Sequence, residues 1–395
     1  MKIDHLDVIN LRHRYPDGVG FRGPGGQCNA RVTSLVLVHT DGPHIGIGSA
    51  YSHPGLVQLI VKQQLEPMIL GRDATEVQGL WDLMYGLTRW YGRKGAAVSA
   101  LGGIDTALWD LRGKAAGKPL YALWGGERVS CPAYASGLPW GDVDELVTQA
   151  KQHIANGFRR MKMRLGCSEA YDVEAVTKVR AAIGPDIDLM VDASMRYTLD
   201  IARRMGKFLA GHNAFWFEEP FAPEQVELYA ELRGTIDVPI AAGENEFGVQ
   251  GFDELIRCGA VDIVQPDASR CGGISEVRRV AERAAKAGLK VAPHTWSDAV
   301  ALVANAHVVA AIDNGLTVEM DRTGNPFIDD LLRAPLRVVD GEMQLGEAPG
   351  LGIELDHGVI DQYRMEDPLH MPDGHYSDMI FGPQHLDPVG PYEEI

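Results

Sequence analysis

Residues 213–221 read NAFWFEEPF, and whether this stretch is strand or helix decides the fold. Ala214, Phe215, Trp216 and Phe217 form a short aromatic-rich run of the kind that makes a buried strand. Pro220 cannot donate to a ladder and stops it. Glu218 and Glu219 therefore stand at a buried strand tip, where carboxylates are costly unless something there needs negative charge. Side chains alternate along a strand, so Glu218 is expected to point into the site and Glu219, one residue on, away from it.

The same figure recurs on both sides. Strand-like runs occur at "CPAYAS" (131–136), "FRRMKMRLG" (158–166), "DLMVDAS" (188–194), "FWFEEP" (215–220), "VPIAAGE" (238–244), "VDIVQPD" (261–267), "LKVAPHT" (289–295) and "LTVEMD" (316–321). Amphipathic helical patterns such as "DVEAVTKVRAAIG" (172–184), "PEQVELYAELRG" (223–234) and "ISEVRRVAERAAKAG" (274–288) separate them. Eight strands joined by crossovers of helical length predict a parallel α/β barrel over residues 128–330, not an open sheet. Upstream, residues 1–127 predict a mixed unit. A hairpin turns at Asp41-Gly42-Pro43, and three helical patterns follow at 55–70, 73–91 and 95–126. Asp73 or Thr75 would cap the second and Gly117 end the third, whose small residues imply close packing. Downstream, residues 331–395 are expected to form a hairpin and loops returning to the first domain. Residues 366–395 read either as loosely structured or as an interface arm.

A chain of 395 residues fits one barrel with a companion domain, and 45% hydrophobic with 23% charged residues is an ordinary soluble composition. No window offers a membrane span, the first residues do not read as a signal peptide, and five scattered cysteines read as reduced cytosolic thiols. The expected location is the cytoplasm. A net charge of −17 argues against nucleic-acid or anionic-membrane partners. An anionic substrate would therefore need a local positive site.

The polar residues at the strand tips keep the barrel's period. Lys162, Asp192, Glu218, Glu244, Asp267, His294 and Glu319 follow one another at intervals of 23 to 30 residues, about one βα unit each. The C-terminal ends of barrel strands converge on one mouth, so residues distant in sequence meet there. Asp192, Glu218 and Glu244, on three consecutive strands, repel one another unless a cation sits between them. Oxygen-only donors with no nearby cysteine favour a hard ion, Mg²⁺ first and Mn²⁺ second. Asp267 and His294, from the next two tips, fit a dyad in which the carboxylate fixes one imidazole nitrogen and raises the basicity of the other.

Taken in order, "KMR" (162–164), "VDAS", "WFEEP", "AAGENE", "QPDASRCGG", "APHTW" and "VEMD" resemble the enolase superfamily, specifically its mandelate racemase subgroup. The resemblance spans nearly the whole chain. It implies a modified TIM barrel, (β/α)7β, with an N-terminal α+β capping domain completed by the C-terminal segment. It implies that Asp192, Glu218 and Glu244 ligate Mg²⁺, that His294 with Asp267 is the base, and that Glu319 hydrogen-bonds a substrate carboxylate or its enediolate. Members are often homo-oligomers, so the same is expected here.

The implied chemistry removes a proton α to a carboxylate. The second negative charge this creates needs Mg²⁺, Lys162 and Arg164 around it. The subgroup commonly carries Lys-x-Lys where this chain has Lys162-Met163-Arg164. A guanidinium stays protonated and is a poor base, which counts against racemisation. The like charge of Arg164 is expected to depress the Lys162 pKa, which leaves Lys162 open as a second base. A single dyad can remove the α-proton and protonate a departing β-hydroxyl, so the favoured activity is dehydration of a small-molecule sugar acid to a 2-keto-3-deoxy acid by a lyase. Alternatives are a racemase or lactone cycloisomerase on the same scaffold, a metal-free glycosidase using Glu218 and Glu244, and a non-catalytic acid-sugar binding protein. Specificity is expected from His13, Arg22 and His53 of the first domain together with Trp296, under a glycine-rich lid, "YPDGVGFRGPGG" (15–26).

Overall fold

The computed structural model describes residues 1–387 and 389–394. The first domain opens with β1 (Ile3–Arg14), a small hairpin of β2 (Phe21–Gly23) and β3 (Gly26–Cys28), then β4 (Ala30–Thr40) and β5 (Ile45–Ala50). β1, β4 and β5 form an antiparallel sheet in that order, and the 41–44 turn joins the last two as the sequence predicts. Three glycines explain why helix Ala96–Ala116 lies directly on this sheet. A Cβ on Gly48 would stand 1.9 Å from the Gly103 carbonyl oxygen, and one on Gly46 2.2 Å from that of Ala107. Gly117, at φ 64, ends the helix in the left-handed conformation expected of it. Helix Val77–Thr88 starts differently from expectation. No side chain caps it, because Asp73 is spent on the amide and hydroxyl of Thr75 in the preceding turn.

The barrel is built from β6 (Ser130–Ser136), β7 (Arg160–Arg164), β8 (Asp188–Asp192), β9 (Ala214–Glu218), β10 (Ile240–Ala242), β11 (Ile263–Val264), β12 (Lys290–Val291) and β13 (Val318–Asp321). Neighbours pair in parallel, β13 returns to β6, and the ring closes where Val291 bonds to Asn314 and Leu316. A helix follows each of the first seven strands, giving (β/α)7β. Tyr134, Met190, Trp216, Ala241, Ile263 and Ala292 fill the interior. Phe217 faces the outer core, so β9 has the predicted alternation. β10, β11 and β12 are shorter than their apolar runs, because Gly243, Pro266 and Pro293 break the ladder. Glu244, Asp267 and His294 consequently stand in loops just past the strands.

The two domains lock through the loop after β11. Gly102 of the long helix is pressed against the backbone of Ala268 and Gly273, Trp81 donates its indole N–H to Gly272, and Trp109 donates to Ser275. A buried ion pair between Arg31 and Asp321, 2.6 Å, joins β4 to the end of β13.

The C-terminal segment takes a route not expected from its sequence. β14 (Val338–Val339) and β15 (Glu342–Gln344) form a hairpin that adds antiparallel to β6 of the barrel and not to the capping sheet. The chain rejoins the first domain only afterwards, through Gly350 with Leu120 and Met365 with Asn10. A second hairpin, β16 (Gly374–His375) and β17 (Ile380–Phe381), is tied to Asn29. The tail beyond it crosses back over the barrel loops, where Tyr392 donates to Asp172 at 2.9 Å and Arg196 to Gly390 at 2.6 Å. Residues 366–387 and 389–394 run as a strap across the mouth and over the barrel loops.

Candidate active site at the barrel mouth

Strand register brings the tips together. Lys162 on β7, Asp192 on β8 and Glu218 on β9 all point inward, and Asp192 and Glu218 are paired neighbours across the sheet. Lys162 is 2.5 Å from Glu218 and 2.9 Å from Glu319, with the Tyr134 ring beneath it. Glu218 is fully buried; its second oxygen accepts from the Trp216 indole two residues earlier at 2.8 Å. Glu319 also accepts from the Thr295 amide at 3.0 Å. Arg164 lies 3.0 Å from Asp192, donates to Ser194 and rests against Trp296.

The Lys162 expectation is reversed. Burial pulls its pKa down, but the attraction of Glu218, Glu319 and Asp192 outweighs burial and holds it well above the ordinary lysine value. The same ammonium and His294 overcome burial at Glu319 and keep that carboxyl low, at about 2. Arg164 is likewise held protonated, since Asp192 and Glu244 more than offset its burial.

His294 is buried, and its Nδ1 is 2.8 Å from Asp267 Oδ2. The other Asp267 oxygen accepts from the Ser269 amide (2.8 Å) and hydroxyl (2.7 Å), with the Asn305 amide behind it. Asp267 therefore acts only as an acceptor, His294 carries its proton on Nδ1, and Nε2 is presented to the mouth. Nε2 faces Glu244 at 3.8 Å and Glu319 at 4.0 Å. Burial lowers the His294 pKa, but Glu244, the Asp267 hydrogen bond and Glu319 together raise it to about 9.

Above this floor lies a cavity of about 450 Å³ lined by Arg164, Asp192, Ser194, Glu219, Glu244, Asn245 and Arg270 on the barrel side. Glu219 contradicts the alternation argument. Its φ of 36 turns the chain at the strand end, and its carboxylate lines the cavity, accepting from Asn245 Nδ2 at 2.9 and 3.2 Å. Burial raises the pKa of Glu218 and Glu219, and the neighbouring carboxylates raise both further. Crowded, mutually repelling oxygen donors on three adjacent strand ends are the surroundings a hard divalent cation fits. Asp192 is at present turned toward Arg164, Glu218 toward Lys162 and Trp216, and Glu244 toward His294. Among the described residues, the one trio whose ligating atoms lie within 4.8 Å of one another is His5, Asp7 and His39, on the outer face of the capping sheet. The two rings there stack nearly parallel, so their lone pairs do not converge.

Of the residues expected to contact substrate, Trp296 is part of the site: it packs edge-on against Phe21 and beside Arg164. The other three are not. Arg22 alternates with Phe21 and Gly23, which face the cavity, so its half-exposed side chain turns out toward Asp387. His53 is an N-cap, its Nδ1 accepting from Gly55 and Leu56. His13 packs edge-on against Tyr15 and Tyr363 on the far side of β1. The glycine-rich segment does lie over the mouth, with Gly23 close to Arg164 and Gly25 against His375. Missed altogether were Arg270, Asn245 and the strap residues His375, Ser377, Asp378 and Ile380. Arg270 and Asn245 lie in loops just beyond strand tips, where a search of all loop polar residues would have found them. Nothing local marks the strap.

The sequence matches two family models, "Mandelate racemase / muconate lactonizing enzyme, N-terminal domain" over residues 27–125 and "Enolase C-terminal domain-like" over 145–359. It is 35% identical to a D-galactarolactone cycloisomerase of Agrobacterium fabrum, over 93% of this chain and all of that one. It is 33% identical to an arabinonate dehydratase of Saccharolobus solfataricus, over 83% of this chain and 89% of that one. A solved L-talarate/galactarate dehydratase mutant, liganded with Mg and L-glucarate, superimposes with a TM-score of 0.83 at 28% identity, covering 92% of each chain. With its barrel, capping domain and both family matches in agreement, the chain belongs to the enolase superfamily, in the mandelate racemase subgroup of enzymes.

Proposed function

We propose that this enzyme removes the proton α to the carboxylate of a sugar acid and expels a β-oxygen substituent, with dehydration to a 2-keto-3-deoxy acid as its main activity. The observation that carries the proposal is the Asp267–His294 pair, which holds Nδ1 and turns Nε2 to one side of a mouth lined by carboxylates and guanidinium groups. Asp192, Glu218 and Glu244 would hold Mg²⁺, which when bound supplies Lewis-acid polarisation of the substrate carboxylate.

His294 Nε2 takes the α-proton, and the C–H electron pair moves into the carboxylate as an enediolate. Lys162 and Arg164 stand beside that developing charge and Glu319 opposite His294. The enediolate then collapses, the Cβ–O bond breaks, and the imidazolium returns its proton to the departing hydroxyl, releasing water. The enol left behind ketonises. Arg164 occupies the position from which a base would serve the other face, so the chain has one base and elimination is favoured over racemisation.

Cycloisomerisation is the second reading, favoured by the 35% identical relative named for that activity. It uses the same proton transfer, with the ring oxygen of a lactone as the leaving group in place of hydroxide. Incubation with a panel of acid sugars and sugar lactones in Mg²⁺ and D₂O tests both. The expected results are 2-keto acid formation or lactone opening with α-deuterium exchange, abolished by His294→Asn. An undiminished rate in that variant would remove the dyad from the mechanism.

A further inference from the structure

The strap delivers a negative charge into the cavity. β16 and β17 pair through His375 and Ile380, and the turn between them is tightened by Tyr376 N–H to the Met379 carbonyl, with Ser377 at φ 66. That left-handed residue turns Asp378 toward the barrel. Ser377 Oγ accepts from the Trp296 indole at 2.7 Å, which ties the tip of the hairpin to the wall of the site. Asp378 Oδ2 meets Arg270 at 3.1 Å, and Tyr51 hydrogen-bonds the same carboxylate.

The charges lining the cavity are lopsided. Among its described lining residues, Arg164 and Arg270 are the guanidinium groups, and both are engaged. Arg164 is held by Asp192 at the metal side. Arg270 spans Asp378 and the Asn245 side-chain oxygen, 3.1 Å from each. Around Asp378 the wall is the Gly23–Gly26 segment with Phe21, Cys28, His375, Ser377 and Ile380; burial lowers the His375 pKa, so its imidazole adds no fixed positive charge and the wall suits hydroxyls or a sugar ring. A substrate with one carboxylate places it beside Arg164 and the dyad and its neutral end on this wall. A second carboxylate at the far end would meet Asp378 and would have to displace it from Arg270.

We infer that Asp378 is a specificity-determining residue that selects substrates carrying a single carboxylate, such as aldonates, anhydro-sugar acids or lactone acids, against aldarate diacids. This inference rests on the sugar-acid reading above and sharpens it. The repulsion between like charges across a partly solvated cavity amounts to about tenfold or more in discrimination.

The test compares kcat/KM for matched mono- and diacids, galactonate with galactarate and then the wider panel, in the wild-type enzyme, in Asp378→Asn and in Asp373→Asn. Asp373 is an exposed acid of the same strap bonded to Gln384 and outside the cavity lining, so its variant controls for loss of surface charge. Wild type is expected to prefer monoacids. Asp378→Asn is expected to shift the diacid-to-monoacid ratio at least tenfold toward the diacid, chiefly in KM, while Asp373→Asn leaves the ratio unchanged. Wild-type preference for diacids, an unaltered ratio in Asp378→Asn, or an equal shift in both variants overturns the inference. The sugar-acid reading itself falls only if no acid on the panel is turned over or exchanges its α-hydrogen in the wild type.

Discussion

Replacing Asp267 by Asn changes one atom and reverses the imidazole. In the native site one Asp267 oxygen accepts from the Ser269 amide and hydroxyl at 2.8 and 2.7 Å, and the other faces His294 Nδ1 at 2.8 Å. The backbone amide of Ser269 can only donate, so the Asn oxygen must stay on that side, where Asn305 Nδ2 also points. The new NH₂ group is thereby aimed at His294 Nδ1. That contact is a hydrogen bond only if Nδ1 becomes the acceptor, which moves the imidazole proton to Nε2, the atom that must receive the substrate's α-proton. A dyad locked in the wrong tautomer loses about 10³ to 10⁴ in rate, equivalent to about 4–5 kcal/mol of barrier. Steady-state kinetics with the best substrate from the panel should show that loss in kcat. Calorimetry should show unchanged affinity for a substrate analogue without an α-hydrogen, because the carboxylate-binding groups are untouched. Turnover within tenfold of wild type, or a loss confined to KM, would refute the tautomer argument.

Glu218→Gln keeps the Trp216 contact but removes the charge shared by Lys162, so Mg²⁺ affinity by calorimetry and activity should fall together by at least tenfold; retained turnover in EDTA would refute the ligand assignment. His307 is fully buried between the Tyr121 amide and the Leu351 carbonyl, and burial lowers its pKa from 6.5 to about 4. The unfolded chain therefore binds the proton first, and stability present above pH 6.5 is lost as pH falls toward 4, by about 3 kcal/mol for this residue. Urea denaturation at pH 7.5 and 4.5 should show that loss, reduced in His307→Asn; an identical slope in the two proteins would exclude His307 as its source. Arg31→Met strips the buried Asp321 of its cation and should cost about 3–5 kcal/mol in chemical denaturation. A loss below 1 kcal/mol would mean that Thr323 and Asn325 suffice to hold that carboxylate.

Local sequence determined the features that depend on period and on chain-breaking residues. The spacing of Lys162, Asp192, Glu218, Glu244, Asp267, His294 and Glu319 is a repeat of the βα unit, and a closed parallel barrel turns that spacing into proximity whatever the helices contain. Inward and outward faces of β9 follow from the two-residue alternation of any strand, which is why Trp216 and Glu218 share a direction. Beyond the strand ends, tertiary structure decided the direction of every side chain that the βα repeat does not itself place. Glu219 enters the cavity because the chain turns at positive φ under contacts from Ala241 and Asn245, which alternation cannot foresee. His13, Arg22 and His53 carry suitable chemistry but are turned elsewhere, His13 to Tyr15 and Tyr363, Arg22 to Asp387 and His53 to the helix start it caps. Asp378 reaches the mouth across more than eighty residues of chain because Trp296 and Arg270 hold its hairpin there. Periodicity is a property of neighbours along the chain, whereas the direction of a loop side chain is set by partners distant in sequence.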